Sequence, residues 1–259
     1  MIDVHCHLEQ KDYDKDRFEL IDRCKNELKA IITSCAHPND FDITIEMVEK
    51  NKNFIFATAA VHPEYVKEVS EEKIQEYFKL IEENKEKFVA IGETGLDFNW
   101  IKEDNWRKKQ RELFIRHIEL AKRLEKPLII HSRDVFDETL VTLEENQAKR
   151  VLLHMWGQKN LLERIKNNNW FISVNAIVLR SKSYRKVVKA FSLENIMLET
   201  DAPWLSPKKI LDGIDARNDP LNVKTVAQKI SEIKKVSFNE VWTKCAQNAI
   251  SFFNLPITV

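Results

Sequence analysis

His5 and His7 flank Cys6 in the run H-C-H. In a strand, successive side chains point to opposite faces, so the two imidazoles share one face and Cys6 takes the other. Imidazoles at this spacing can share a divalent ion, although H-x-H alone is a weak motif. Four further donors strengthen it: Glu93 in I-G-E-T-G, His131 in I-I-H-S-R, His154 in L-L-H-M-W and Asp201 in E-T-D-A-P. Four nitrogen and two carboxylate donors exceed what one tetrahedral ion needs. A pair of divalent ions bridged by Glu93 fits the donor count. Such ions, about 3.5–4 Å apart, acidify a shared water, polarise a phosphoryl or carbonyl oxygen and stabilise the leaving oxygen. Asp201 can ligate a metal and also orient or deprotonate that water, which makes Glu93 and Asp201 the catalytic candidates. The bland alternative is six buried polar residues with ordinary hydrogen bonds. It is disfavoured because Asp, Glu and His are expensive to bury without a partner or a metal.

Other residues carry separate expectations. His62 precedes Pro63, which fixes its loop, and is expected to contact substrate. His37 also precedes a proline and stays open between substrate contact and loop residue. Arg133, two past His131, can hold a phosphate bidentately or serve as a salt-bridged rim residue. Arg217 in D-A-R-N-D-P is a candidate anion contact, with Asn218 ordering its loop. Glu199 is expected to support Asp201 or its neighbours from behind the donors. Trp156 and Trp204 can stack on bases or simply pack. Cys6 is read as packing, and His117, mid-helix in R-H-I-E-L-A, as a helix-surface residue.

These residues need elements to position them. Short apolar runs alternate with stretches of helical periodicity. The runs are Ile2–Val4, Ala30–Cys35, Phe54–Val61, Phe88–Ile91, Pro127–Ile130, Val151–Leu153, Trp170–Val174 and Ile196–Leu198. Continuous apolar strands alternating with helices imply a parallel sheet buried on both faces. Eight such units in 259 residues match a closed (β/α)₈ TIM barrel, one domain over 1–259. The alternative, an open doubly wound sheet, usually begins with a glycine-rich first turn that is missing here. In a barrel the site lies at the C-terminal strand ends. Six of the seven histidines fall at predicted strand ends; with about three positions per end, chance would place fewer than about one there. Only four glycines occur, and two of them, Gly92 and Gly95, flank Glu93. They are read as tight turns beside the site.

Composition narrows the function classes. Forty-one basic and 41 acidic residues cancel, which argues against a polycation that coats nucleic acid. With 43% hydrophobic and 32% charged residues, disorder is excluded. The N-terminus does not read as a signal peptide, and no apolar stretch approaches a membrane span. Four scattered cysteines form no CxxC pair, so a reducing cytoplasm is expected. There is no G-x-S-x-G elbow and no P-loop.

The motifs D-V-H-C-H-L at 3–8, V-H-P at 61–63, I-G-E-T-G-L-D at 91–97 and P-L-I-I-H-S-R at 127–133 resemble successive signatures of the TatD-type deoxyribonucleases. So do H-M-W-G at 154–157, E-T-D-A-P-W-L at 199–205 and R-N-D-P at 217–220. The resemblance spans essentially the whole chain, in order. It implies a metal-dependent hydrolase barrel that cleaves DNA phosphodiester bonds, often from the 3′ end. It also implies the ligand set His5, His7, Glu93, His131, His154 and Asp201, with His62 near the substrate. One departure stands out: the family's His-Cys-Phe-Ser-Gly is replaced by His154, Met155, Trp156, Gly157 and Gln158. Trp156 is expected to stand in for the phenylalanine, with a changed substrate pocket.

The leading expectation is a monomeric, two-metal 3′–5′ exonuclease on single-stranded DNA, using Mg²⁺, Mn²⁺ or Zn²⁺. A second is a metal-dependent ester or amide hydrolase, such as a deacylase of D-aminoacyl-tRNA. The ligands serve both. A basic, aromatic-lined groove favours nucleic acid, and a small closed pocket favours the ester or amide. A third, from another class, is an inactive metal-binding module; it is disfavoured because no ligand position is lost.

Overall fold

All five residues of the first strand are buried, polar and apolar alike. A strand with no solvated face must be covered on both sides, and a ring of helices around a closed sheet does this. The computed structural model describes residues 1–258 and has that architecture.

In chain order the strands and helices are β1 (Ile2–Cys6), α1 (Arg17–Lys25), β2 (Ala30–Cys35), α2 (Phe41–Lys50), β3 (Ile55–Ala59) and α3 (Glu71–Glu83). Then come β4 (Phe88–Asp97), α4 (Asp104–Arg123), β5 (Leu128–Arg133), α5 (Phe136–Glu145), β6 (Val151–Leu153) and α6 (Leu162–Asn167). The chain closes with β7 (Phe171–Val174), α7 (Lys182–Ala190), β8 (Ile196–Leu198), α8 (Pro207–Asp212), α9 (Val223–Lys234) and α10 (Phe238–Phe253). Among the described residues, eight parallel strands pair in sequence order, β1 to β8. The fold is the expected TIM barrel.

The seam between β8 and β1 lies just past β8. Asp201 N donates to His5 O at 3.0 Å and His7 N to Ala202 O at 2.7 Å. Below them, the Asp3 carboxylate accepts from Thr200 N at 3.0 Å and from Thr200 Oγ1 at 2.5 Å. The first and last strands are thus sewn together at the mouth.

The helices form for local reasons. Ser237 accepts from Glu240 N at 3.1 Å and opens α10 in the S-x-x-E pattern of a capping box. Ser70 does the same for α3 from Lys73 N, with Glu71 and Glu72 in the first turn. The amphipathic α4 buries Leu113, Phe114, Ile118 and Ala121, and with them Gln110 and His117.

The largest shift from the expected strand ends is in β4, and one helix is unexpected. β4 continues past Ile91 to Asp97, so Glu93 lies inside a strand. Gly92 and Gly95 therefore sit within the strand, not in turns. The reason is a close approach. Gly95 pairs with His131, and a Cβ on Gly95 would lie 2.0 Å from His131 O. Helix α8 was not foreseen, although Ser206 caps it, Pro207 starts it and Gly213 ends it in the left-handed conformation.

Candidate metal centre

The donors converge where the strands open. β1 ends at Cys6, so His5 and His7 emerge together, with Nε2 atoms 3.2 Å apart. Cys6 faces away, its thiol donating to Ile32 O. From β4, Glu93 reaches into the middle of the mouth. Its carboxylate lies 3.2 Å from His5, 3.5 Å from His7, 3.5 Å from His62, 2.8 Å from His131 and 3.6 Å from His154. Asp201, just beyond β8, places Oδ1 3.7 Å from His5 Nε2 and 3.6 Å from His7 Nε2. It has a φ of 56°, a left-handed conformation that Asp tolerates better than most residues.

The tautomers sort the histidines. His7 Nδ1 lies 2.9 Å from Glu9, a carboxylate that also accepts from Thr33 Oγ1 at 2.8 Å. His154 Nδ1 lies 3.0 Å from Glu199, which also accepts from Ser173 Oγ and from Asn175 Nδ2. A carboxylate only accepts, so each Nδ1 donates and each Nε2 is the nitrogen turned to the mouth. His131 lies between two carboxylates, its Nε2 donating to Asp97 Oδ2 at 2.9 Å and its Nδ1 to Glu93 at 2.8 Å. His62 is reversed. Its Nδ1 accepts from Glu64 N at 3.3 Å, so the neutral ring carries its proton on Nε2, facing Glu93. His62 therefore turns an N–H toward Glu93, as His131 does, whereas His7 and His154 spend their Nδ1 protons on carboxylates behind them.

The field in the cluster follows. Burial alone would raise Glu93, but the imidazoles of His62, His154 and His5 and the hydrogen bond from His131 outweigh it and hold Glu93 well below the usual range. Burial raises Asp201, more than the histidines lower it. Burial also works against charge on His131 and His154, yet Asp97 and Glu93 lift the first to about 9, and Glu199 and Glu93 lift the second to about 10. His5 is lowered, chiefly by burial.

These residues fit a cation. The Nε2 atoms of His5 and His7, 3.2 Å apart, can share a proton as a hydrogen bond or a cation in its place. The buried His5 Nδ1 has no hydrogen-bond partner, so the ring is held only through Nε2. Three donor groups each lie within a 4.8 Å span: His5 with His7 and Glu93, His5 with His154 and Asp201, and His62 with Glu93 and His131.

A cleft of about 470 Å³ stands over the donors. Tyr65, Trp100, Arg133 and Trp204 are among its lining residues. Trp100 is 61% exposed and Trp204 46%. The Trp204 ring lies 4.9 Å from that of His7, and Arg133 lies 5.9 Å from the Trp100 ring.

The chain matches the TatD related DNase family model over residues 2–254. It belongs to that family. Among relatives, human deoxyribonuclease TATDN3 is 32% identical over 98% of this chain and 94% of its own length. An uncharacterized metal-dependent hydrolase of Methanocaldococcus jannaschii is 33% identical, over 97% of this chain and 96% of that protein. Crystal structures of a TatD family hydrolase from Entamoeba histolytica and of YJJV, a TatD homologue from Escherichia coli, each superpose with a TM-score of 0.88 at 25% identity. The first covers 97% of both chains; the second covers 99% of this chain and 98% of its own. This TatD-family chain is accordingly a metal-dependent hydrolase.

Several sequence expectations need correction. Trp156 is 1% exposed, donates to Gln158 O and packs edge-on against Phe136, so it offers no face to a substrate. Arg217 is taken by a two-point ion pair with Asp16 and by the carbonyl of Asp12. His117 is fully buried, not on the helix surface. His37 caps its own loop through Asn39 N and does not line the cleft. Asn218 does order its loop, donating to Thr200 O and Trp204 O. Residues not foreseen are Asp97 and Glu9, which orient His131 and His7, and the rim residues Trp100 and Tyr65. Asp97 and Glu9 had one available signal, a carboxylate within four residues of a donor.

Proposed function

We propose that this TatD-family hydrolase cleaves phosphodiester bonds of DNA, removing nucleotides from the 3′ end of single strands with two divalent ions. The observation that carries the reading is the form of the cleft: a pit of single-ligand size floored by the donors and rimmed by exposed tryptophans and an arginine. A pit accepts a strand terminus better than the middle of a duplex. The names carried by the relatives support DNA as the substrate.

Two ions, Mg²⁺, Mn²⁺ or Zn²⁺, would be held by His5, His7, Glu93, His131, His154 and Asp201, and would supply Lewis acidity to a phosphoryl oxygen and to an attacking water. The residues then have distinct roles. Arg133, unpaired by any acidic side chain among the described residues, takes a non-bridging phosphate oxygen. Trp100 and Trp204 stack on unpaired bases, whose faces are free only in a single strand. Asp201 accepts the proton of the attacking water. His62, with its proton on Nε2, donates a hydrogen bond to the phosphate. Glu9, Asp97 and Glu199 hold the rings in the orientation this requires.

A second reading, ester or amide hydrolysis, is favoured by one observation: Arg133 is the single permanent cation in the cleft lining. A digestion time course separates the two. The protein is stripped by chelator, resupplied with each ion in turn and given a 5′-labelled single-stranded oligonucleotide, with Glu93→Ala as the blank. A metal-dependent ladder descending from full length supports the proposal. Metal uptake without any ladder rejects DNA and directs the assay to acyl esters and misacylated tRNA. We further propose a cytoplasmic monomer; the four free, buried cysteines among the described residues support a reducing compartment.

A further inference from the structure

One face of α4 carries two buried polar residues seven apart, which is two helical turns. Gln110 is 1% exposed and His117 is 0% exposed. Neither touches the donors, yet both reach the same two segments of chain, His117 through the Thr94 hydroxyl in one of them. One segment is 61–63, which carries His62. The other is 94–97, which follows Glu93 and ends at Asp97.

His117 Nε2 accepts from Val61 N at 3.1 Å, and its Nδ1 lies 2.9 Å from Thr94 Oγ1. Accepting at Nε2 makes the neutral ring a donor at Nδ1, so one imidazole joins the residue before His62 to the residue after Glu93. Gln110 Nε2 donates to Pro63 O at 2.8 Å and to Asp97 O at 3.2 Å, while its Oε1 accepts from Asp97 N at 3.1 Å. One amide thus joins the residue after His62 to the residue that orients His131. Burial keeps His117 neutral, with its pKa lowered to about 3, so both bonds persist at neutral pH.

We propose that Gln110 and His117 are positioning residues that clamp the 61–63 loop to the end of β4, fixing His62 against Glu93 and Asp97 against His131. The consequence for turnover rests on the hydrolase reading given above; the clamp itself does not. His62 stands 3.5 Å from Glu93, and the other hydrogen bond of its ring is to its own loop, from Glu64 N to Nδ1 at 3.3 Å. The backbone on either side of it is what α4 fastens.

The variants Gln110→Met and His117→Leu keep bulk and remove the bonds. Ile118→Ala, a buried apolar change on the same helix, is the control for lost stability. Amide hydrogen exchange by mass spectrometry is followed over 60–64 and 94–98, beside thermal midpoints and kcat/KM on the oligonucleotide. Expected are faster exchange of both segments and a 10- to 100-fold loss of kcat/KM, beyond the loss in Ile118→Ala at an equal midpoint. His117→Gln, which restores an acceptor for Val61 N, should recover protection at 60–64. Wild-type exchange in both segments, or an equal loss of kcat/KM in Ile118→Ala, overturns the clamp. If an apolar variant fails to fold, Gln110→Glu and His117→Gln are read in the same exchange assay. Absence of turnover in the wild type would defeat the hydrolytic reading while exchange still decides the clamp.

Discussion

Gly95→Ala should be among the most damaging single-methyl additions in this barrel. The new Cβ would lie 2.0 Å from His131 O and 3.0 Å from His131 C. Ordinary contacts lie beyond about 3.4 Å, so β4 and β5 would have to part by more than about 1 Å at the pair Gly95–His131. The obstacle is backbone, which cannot swing aside as a side-chain tip can. Overpacking costs about 1–3 kcal/mol. A non-glycine residue at a φ of +143° adds about 1–3 kcal/mol. Loss of a neighbouring ladder hydrogen bond adds about 1 kcal/mol. The total is about 3–7 kcal/mol, against a typical stability of about 5–15 kcal/mol for a whole domain. Gly213→Ala is the internal control: its φ is +73°, but nothing lies within 4 Å of the added Cβ, so only about 1–2 kcal/mol is expected. Urea unfolding of both variants, with zinc uptake followed in parallel, reads the difference. Because His131 is the partner that must move, the variant should also bind metal more weakly. A loss under about 1 kcal/mol, or one no larger than for Gly213→Ala, would refute the close-approach reasoning.

Three further outcomes are expected. Trp100→Ala and Trp204→Ala should each weaken single-stranded DNA binding by about 1–3 kcal/mol, seen as a higher KM with little change in kcat; unchanged KM in both removes them from the substrate path. Arg217→Ala should leave KM unaltered and cost at most about 1 kcal/mol of stability, since its ion pair with Asp16 is partly exposed; a rise in KM would restore it as an anion contact. His117 is held neutral by burial, with a folded pKa of about 3 against 6.5 unfolded, so its contribution is complete above pH 6.5 and fades as pH falls toward 3. Between pH 7 and 5 the stability gap between wild type and His117→Leu should therefore narrow by about 2 kcal/mol in urea titrations; a constant gap would mean the ring is charged in the fold.

Much of the site was legible because strand parity and strand ends are local properties. H-C-H alone placed His5 and His7 together and Cys6 away. The barrel rule then brought Glu93, His131, His154 and Asp201 to the same mouth. What stayed hidden depends on partners distant in sequence. Arg217 is occupied by Asp16, 201 residues away, and nothing near either residue announces the pairing. His117 reads as a surface residue because a polar side chain in a charged helix usually is one. Only the amide of Val61 and the hydroxyl of Thr94 make its burial tolerable. Trp156 fails for a similar reason: substitution for a family phenylalanine indicates its position in the chain but not the direction of its ring. Gly92 and Gly95 were misread as turns because a missing Cβ serves close approach as well as tight bending.

The seam at the barrel mouth also orders the events of the protein's birth. His5 emerges from the ribosome 201 − 5 = 196 residues before Asp201, a gap of about 10–40 s at ordinary synthesis rates. During that interval the nascent chain has its first pair of imidazoles but neither Asp201 nor the backbone bonds that draw β1 to β8. A cation that binds only the finished cage adds its binding free energy at the final step of closure. Metal charging would then reinforce a closure that the bonds of the seam already make, so its loss should loosen the mouth more than the rest of the barrel.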